Sequence, residues 1–205
     1  MIGAVVLAAG RSTRMGTQKL LLPFAGRTVI GHVVDQVLRS LVDRVVAVVG
    51  PDGDRITEAT AGLPVTLVTN DDPEADMLRS VRCGLRALPP ACDAAFIILG
   101  DQPGITFSLI DELVRTFRSG SRGIVVPTYR GKRGHPLLIS TRYLVEVLTR
   151  YDGVGLRGLL LAHPDDVVEL AVPAPAVLED VDTPDDYHLA LERFRERTGS
   201  ESTTG

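Results

Sequence analysis

The N-terminal segment joins a strand-like apolar run to a glycine-rich basic loop. Residues 2–8 are apolar, and residues 9–19 carry two glycines, a serine, two arginines and a lysine. Glycines let a backbone turn sharply and present its N–H groups to a ligand, and the cationic side chains suit phosphate oxygens. The pattern predicts a buried strand that ends in a nucleotide triphosphate site. An ordinary strand-to-helix turn with solvated basic residues is the alternative.

Two common phosphate-binding loops fit this segment poorly. A P-loop needs Lys-Ser/Thr directly after its last glycine, whereas Lys19 precedes a leucine and lies three residues beyond Gly16. The dinucleotide fingerprint needs a glycine two residues after Gly10 and an acid at the end of the second strand, where this chain has Gly50-Pro51. The segment therefore argues against a P-loop NTPase and against an NAD-dependent oxidoreductase.

Strand-like and helix-like segments alternate along the chain. The apolar runs suit parallel strands that are covered on both faces, and helices are predicted after the capping residues Thr28, Thr106 and Thr183. We predict one doubly wound, Rossmann-like, mostly parallel α/β domain over residues 1–198, with its ligand at the carboxyl ends of the strands. A disordered polar tail is predicted over 199–205. The predicted strands are 2–8, 44–49, 64–69, 94–99, 123–126 and 166–172.

Composition narrows the class of partner. A chain of 205 residues with 44% hydrophobic content can build one substantial core, and its net charge of −4 argues against nucleic acid and anionic membrane as partners. No basic region precedes the first apolar segment, and no run approaches the roughly 20 apolar residues of a membrane span. Cys83 and Cys92 lack the spacing of a metal motif, so we expect free thiols. We expect a cytoplasmic protein.

A carboxylate follows the fourth predicted strand. Strand 94–99 runs into Gly100 and Asp101, so Asp101 emerges at the same edge of the sheet as Gly10. A carboxylate has no packing role at that edge, and Mg²⁺ is commonly bound by one or two carboxylates together with substrate phosphates. We predict that Asp101 binds Mg²⁺. Capping of the following helix is the alternative, although Thr106 already occupies the capping position.

The order of these motifs resembles a known family. The segment G-x-S/T-x-R-M-G-x-x-K after L-A-A-G, at residues 7–19, is similar to MobA-like NTP transferases, and among them to the molybdenum cofactor cytidylyltransferases. The resemblance continues to about residue 190. It implies a nucleotidyltransferase that moves CMP from CTP to a phosphate-bearing acceptor and releases pyrophosphate. The implied acceptor is a phosphorylated pterin, molybdopterin carrying molybdenum, and a client molybdoenzyme is the further partner implied.

The resemblance also implies roles for particular residues. Lys19 and Arg14 would bind the triphosphate and, with Asp101, form the catalytic set. A D-x-D-T-P segment places Asp182 in the metal site, although Asp182 also directly precedes a helix cap. The implied nucleotide-binding residues are Leu7, Ala8, Ala9, Gly10, Arg11, Ser12, Arg14, Lys19, Asn70 and Ser80.

Base recognition is assigned to the region around the third predicted strand. Asn70 lies just past that strand, and Ser80 begins an S-V-x-x-G-L motif whose serine meets the pyrimidine edge in cytidylyltransferases of this fold. A helix serine bonded to its own backbone is the alternative. The Ala8-Ala9 pair resembles the cytidylyl branch, since the guanylyl branch typically has glycine at the second position. The family usually has Gly-Met where this chain has Asp76-Met77.

The acceptor is assigned to two later segments. Arg133, Gly134 and His135 belong to a loop rich in glycine and cations, which suits a second anionic ligand, and they match the family's G-x-x-x-H-P motif. A surface histidine before a turn proline is the alternative for His135. Relatives commonly show G-D-x-G-A-R where this chain has Asp152-Gly153 in exchanged order, which leaves Arg157 as a phosphate-binding candidate.

Other functions remain open from the sequence. A guanylyltransferase or a sugar-1-phosphate nucleotidyltransferase would share the first loop and Asp101. A non-catalytic protein that binds or delivers the cofactor would account for the departures at Asp76 and Asp152-Gly153, whereas the presence of Lys19 opposes it.

Overall fold

The structure, a computed structural model, describes residues 1–10, 18–72 and 76–201 of the chain. Arg11, Ser12 and Arg14, which were predicted to bind nucleotide, lie outside the described residues. Residues 202–205 of the predicted tail lie outside them as well.

The described residues form one mixed sheet of eight strands and a separate two-stranded sheet made by β2 and β3. In spatial order the main sheet runs β10-β7-β9-β6-β1-β4-β5, with β8 paired to β7. The strands are β1 (Ile2–Ala8), β2 (Pro23–Phe24), β3 (Arg27–Thr28), β4 (Arg44–Val49), β5 (Thr66–Thr69), β6 (Ala94–Leu99), β7 (Ile124–Tyr129), β8 (Lys132–Arg133), β9 (Leu137–Ser140) and β10 (Val167–Ala171).

The predicted α/β architecture is confirmed, with one insertion. Strands β1, β4, β5 and β6 are mutually parallel, and β10 is parallel to β7. Strand β9 is antiparallel to both β6 and β7 and lies between them. The prediction missed β9 because its apolar residues follow a segment of glycines and cations that has the composition of a loop.

Seven helices lie in the part of the chain that the structure describes, and the three predicted caps are present. Thr28 and Thr106 accept hydrogen bonds from the third backbone N–H beyond them, and Thr183 does the same at the last helix. None of the described helices has the length and apolar content needed to cross a bilayer. The helices are α1 (Val29–Leu38), α2 (Asp54–Ala59), α3 (Met77–Ala87), α4 (Phe107–Ser119), α5 (Leu144–Thr149), α6 (Arg157–Ala162) and α7 (Pro184–Glu201).

The main sheet is covered on both faces. Alternate residues of a strand point to opposite faces, so neighbours in β1 belong to different clusters. Val6 packs with the buried residues of α1 and α4, whereas Val5 packs with those of α3, α5 and α6. Two covered faces explain why the central strands are nearly all apolar in sequence. The thiols of Cys83 and Cys92 are both free, as expected.

Helix α7 completes the face that carries α1. Phe194 of α7 stacks against Phe24 and His32, with ring centroids 5.3 and 5.5 Å away. The hydroxyl of Tyr187 donates to the carbonyl of Pro23 at 2.5 Å. The helix extends past Thr198 to Glu201, into the segment predicted as tail. These contacts fix the start of α7, which carries part of the candidate site.

Helix α3 approaches the sheet closely at Gly84. A Cβ atom there would overlap Cγ1 of Val5 on β1 and lie 2.9 Å from Cγ2 of Val48 on β4. Ser80 lies one turn earlier on the same helix. The glycine of the S-V-x-x-G-L motif therefore lets α3 pack deeply enough to hold Ser80 at its buried position.

We expect Gly84→Ala to destabilise the fold by about 1–3 kcal/mol, because the added methyl group overpacks the core. Alanine is favoured over glycine within a helix by roughly 1 kcal/mol, so a net loss of stability would isolate the steric clash. Gly120→Ala is the control, since its Cβ would lie 3.5 Å from the nearest atom outside its chain neighbours. Urea unfolding measures both variants. Equal midpoints would contradict the close packing of α3.

Candidate active site

The candidate site lies where the order of the strands reverses. Strands β4 and β5 follow β1 towards one edge of the sheet, and β6 lies on the other side of β1. In open α/β sheets such a switch point forms a crevice at the carboxyl ends of the strands. Leu7, Ala8, Ala9 and Gly10 follow or end β1 at this crevice, and Asp101 follows β6 beside them. The fold therefore brings together two of the segments that the sequence predicted.

Lys19 connects two carboxylates from distant parts of the chain. Its Nζ lies 2.5 Å from Oδ2 of Asp101 and 2.6 Å from Oδ1 of Asp182. The Lys19 side chain is 12% exposed, so these ion pairs are partly shielded from water. Burial acts to lower the pKa of Lys19, but its hydrogen bonds to both carboxylates prevail and raise that pKa above the ordinary value. Lys19 thus carries its charge at neutral pH.

A third carboxylate, Asp180, belongs to the same cluster and was missed from the sequence. One oxygen from each of Asp101, Asp180 and Asp182 lies within 4.8 Å of the other two. Residues two apart on extended backbone face the same side, so the D-x-D spacing contained the signal. Burial, and then the charges of Asp101 and Asp182, raise the pKa of Asp180. Clustered carboxylate oxygens fit a hard divalent cation such as Mg²⁺ or Mn²⁺.

Backbone contacts hold the acidic segment in place. The N–H of Val181 donates to the carbonyl of Asp101 at 2.9 Å, and the Val181 side chain is buried. The carboxylate of Asp186 accepts from the N–H groups of Asp182 and Thr183 at 3.2 and 2.8 Å. With the Thr183 hydroxyl bonded to the N–H of Asp186, this is a reciprocal helix cap. Asp182 is therefore placed by the start of α7 while its side chain faces Lys19.

The side chains of Asn70 and Ser80, both assigned to base recognition from the sequence, are in contact. Asn70 follows β5, and its backbone N–H donates to the carbonyl of Val49 at 2.8 Å. Its side-chain nitrogen donates to the hydroxyl of the buried Ser80 at 3.0 Å. The Ser80 hydroxyl can still donate one hydrogen bond of its own. The Asn70 side-chain oxygen accepts from the N–H of Asp72 at 3.4 Å and has a second lone pair with which it can accept another hydrogen bond.

All four residues assigned to the acceptor line one cavity of about 450 Å³. The loop between α5 and α6, the start of α3, and the segment that joins β8 to β9 form its walls. The volume is in the range of small-molecule sites. Arg133 also pairs with Glu169, with Nε 2.7 Å from the carboxylate, so part of its charge is already engaged. The residues from the prediction are Arg133, Gly134, His135 and Arg157.

Gly134 and His135 pack against the residues that precede the acidic segment. The N–H of His135 donates to the carbonyl of Val177 at 2.9 Å, and a Cβ on Gly134 would overlap that same carbonyl. Burial lowers the pKa of His135, while the negative charge of Asp101 opposes the shift. The contact with Val177 therefore joins the wall of the acceptor cavity to the chain segment that leads to Asp180 and Asp182.

Asp76 and Asp152, at which the chain departs from the family pattern, both form contacts within the structure. Asp76 caps α3 by accepting from the N–H of Arg79 at 2.9 Å. Asp152 forms an ion pair with Arg82, with Nη1 and Oδ1 2.7 Å apart. The carboxylate of Asp76, which lines the acceptor cavity, thus accepts from a backbone N–H, whereas that of Asp152 is paired with a cation.

A doubly wound sheet with a glycine-rich loop after its first strand and carboxylates beside it is the architecture of a nucleotidyltransferase. The chain belongs to the MobA-like NTP transferase domain family, whose sequence profile matches residues 4–167. The resemblance drawn from the first loop is confirmed. The acids Asp180 and Asp182 lie beyond the matched segment.

Individual relatives cover nearly the whole chain. The chain is 30% identical over 196 residues to the molybdenum cofactor cytidylyltransferase of Escherichia coli K12, covering 95% of this chain and 98% of that protein. It is also similar to the crystal structure of Rv0371c from Mycobacterium tuberculosis H37Rv, with a TM-score of 0.83, 31% identity, and 93% and 98% of the two chains covered. A structure of Rv0371c in complex with manganese has a TM-score of 0.74 at 30% identity, with 93% and 98% covered.

We expect Lys19→Met to bind Mn²⁺ more tightly than the unmodified protein when no nucleotide is present. The Lys19 ammonium contacts both Asp101 and Asp182, so it competes with a divalent cation for the same oxygens. Lys132→Met removes a charge from an exposed strand and serves as the control. Electron paramagnetic resonance of free Mn²⁺ gives the bound fraction. Weaker binding by Lys19→Met than by Lys132→Met would contradict the competition.

Proposed function

We propose that this protein transfers CMP from CTP to a phosphate of the molybdenum cofactor and releases pyrophosphate. The observation that carries the proposal is the cluster of Lys19, Asp101 and Asp182 beside the crevice that ends β1. The full-length similarity to a molybdenum cofactor cytidylyltransferase supports the choice of nucleotide and acceptor. The free thiols Cys83 and Cys92 suit a cytoplasmic location.

On the nucleotide side, the backbone from Leu7 to Gly10 would dock the nucleotide at the switch point. Asn70 and Ser80 would present their amide oxygen and hydroxyl to the cytosine edge. Lys19 would turn from the carboxylates to the phosphates, as a compact point charge suited to a triphosphate. Arg14, Arg11 and Ser12 would complete the phosphate contacts.

Asp101 and Asp182 would hold Mg²⁺, and Asp180 is close enough to contribute a third oxygen. The Mg²⁺ ion, when bound, would supply positive charge for the phosphate oxygens and for the charge that develops on the departing pyrophosphate. The similarity to a protein crystallised with manganese supports the use of a divalent cation.

On the acceptor side, Arg157 at the start of α6 and Arg133 on β8 would contact the phosphate of the pterin. A lowered pKa keeps His135 neutral at pH 7, so it would serve as a hydrogen-bonding group rather than a charge. The adjoining cavity and carboxylate cluster would bring the two anionic substrates together.

The reaction needs little proton chemistry from the protein. An oxygen of the acceptor phosphate attacks the α-phosphorus of CTP and forms the new P–O bond. The bond from that phosphorus to the bridging oxygen breaks, and pyrophosphate leaves with the electron pair. The nucleophile is already an anion, so no general base is required. Lys19 and the arginines would contribute chiefly by positioning and by electrostatic stabilisation.

Mass spectrometry of the products formed from CTP, GTP and UTP with the molybdenum cofactor or a sugar 1-phosphate tests the proposal. A cytosine dinucleotide form of the cofactor is the expected product. Tight cofactor binding without pyrophosphate release would instead identify a delivery protein.

We expect Asp101→Asn to keep the fold and lose nearly all turnover. The amide has a similar volume but lacks the charge that binds a hard cation. Asp185→Asn, at an exposed position in the first turn of α7, is the matched control and should retain activity. Pyrophosphate release measures the rates. Normal turnover by Asp101→Asn would remove Asp101 from the metal site.

We expect CTP to outcompete GTP, and Ala9→Gly to narrow the difference. The methyl group of Ala9 stands where the guanylyl branch has glycine, and it would crowd a purine. One methyl group accounts for only about 1–3 kcal/mol of discrimination, so a preference rather than exclusion is expected. Competition at equal nucleotide concentrations measures it. A preference for GTP in the unmodified protein would move it to the guanylyl branch.

A further inference from the structure

The guanidinium of Arg82 binds the start of the loop between α5 and α6. This loop, residues 150–156, is called the acceptor loop because it lines the acceptor cavity. Its Nε donates to the carbonyl of Val147 at 2.9 Å, and its Nη2 donates to the carbonyl of Arg150 at 2.6 Å. Its Nη1 and Nη2 donate to the two carboxylate oxygens of Asp152 at 2.7 and 3.2 Å. The three guanidinium nitrogens therefore contact one residue of α5 and two residues at the start of the loop.

The two members of the Arg82–Asp152 ion pair differ in their exposure to solvent. The side chain of Arg82 is 11% exposed, whereas that of Asp152 is 70% exposed. Hydrogen bonding to Arg82 lowers the pKa of Asp152, so the carboxylate is charged at neutral pH. Arg82 donates four hydrogen bonds from a planar fork with five N–H donors, whereas a lysine ammonium has only three donors and cannot bind a carboxylate through two parallel N–H groups of a fork.

Three residues of the acceptor loop have left-handed backbone conformation. Tyr151, Gly153 and Gly155 have φ values of 74°, 74° and 70°. For a residue with a side chain, such as Tyr151, left-handed backbone costs roughly 1–2 kcal/mol and needs support from its surroundings. The Tyr151 hydroxyl donates to Glu146, and Arg82 holds the residues on both sides of Tyr151.

The same loop forms one wall of the acceptor cavity. Residues 153–157, including Arg157, line it, and so do residues 76–78 and Val81 of the α3 region. Arg82 follows Val81 directly and lies two residues after Ser80, which contacts Asn70 on the nucleotide side. Arg82 is therefore a side chain of α3 that holds the acceptor loop through hydrogen bonds.

We propose that the Arg82–Asp152 contact is a positioning device that sets the acceptor loop, and Arg157 with it, for acceptor binding. This inference rests on the proposed function. Arg82 is a positioning residue, since it acts through the loop and not on the substrate. The exchanged order Asp152-Gly153 places the acid where the guanidinium of α3 reaches it.

The test compares Asp152→Asn with the unmodified protein and with Arg115→Ala, which removes an exposed ion pair on α4. Because Asp152 is mostly exposed, little change in the midpoint of thermal unfolding is expected. We expect the KM for the molybdenum cofactor to rise by about ten- to a hundredfold, as misplacement of binding groups often causes. The KM for CTP should stay within about twofold.

Hydrogen exchange over residues 150–157 gives a readout that needs no substrate. Exchange there should be faster in Asp152→Asn and unchanged in Arg115→Ala. Arg82→Lys, which keeps the charge but not the fork, should resemble Asp152→Asn in both readouts. Unchanged exchange, or an equal rise in both KM values, would overturn the inference while leaving the proposed function intact. If the unmodified protein transfers no CMP, the proposed function fails, and loop exchange alone then decides whether Arg82 positions the loop.

Discussion

The ammonium of Lys19 between Asp101 and Asp182 is the contact on which the site depends. It joins the segment after β1 to the segment after β6 and to the start of α7. In sequence, Asp101 is 82 residues and Asp182 is 163 residues from Lys19. The Lys19 ammonium offsets the repulsion between these carboxylates, since like charges at short range disfavour ionisation. In the folded protein the Lys19 ammonium compensates the charge of these carboxylates, a role that a divalent cation could also fill.

The cap of α7 limits where phosphates can bind. A helix N-terminus normally offers free N–H groups to an anion. Here Asp186 takes the N–H groups of Asp182 and Thr183 for itself. In the proposed function, Lys19 and the basic segment after β1 would then supply positive charge for the nucleotide. The same cap orients Asp182, so one interaction both occupies N–H groups that could bind an anion and holds a carboxylate of the acidic cluster in place.

The sequence predicted the periodic parts of the fold and the contacts that lie close to them. Thr28, Thr106 and Thr183 cap helices because capping depends on residues within one turn. Strand β9 was missed because its pairing with β6 and β7 is decided by distant strands. Asp180 could have been found from its spacing to Asp182. The grip of Arg82 on Val147 and Arg150 could not, because it uses backbone carbonyls that carry no sequence signal.

The charges of the cluster bear on the order in which ligands arrive. Among the described residues, the three aspartates and the lysine of the cluster sum to a formal charge of −2. In the proposed function, a nucleotide that arrives without a cation would meet repulsion from these carboxylates, whereas a nucleotide already bound to a divalent cation would bring compensating charge with it. Free nucleotide in excess of metal would then be a poor competitor for the site. The ratio of metal to nucleotide in solution, and not the total amount of nucleotide, would govern how fully the crevice is filled.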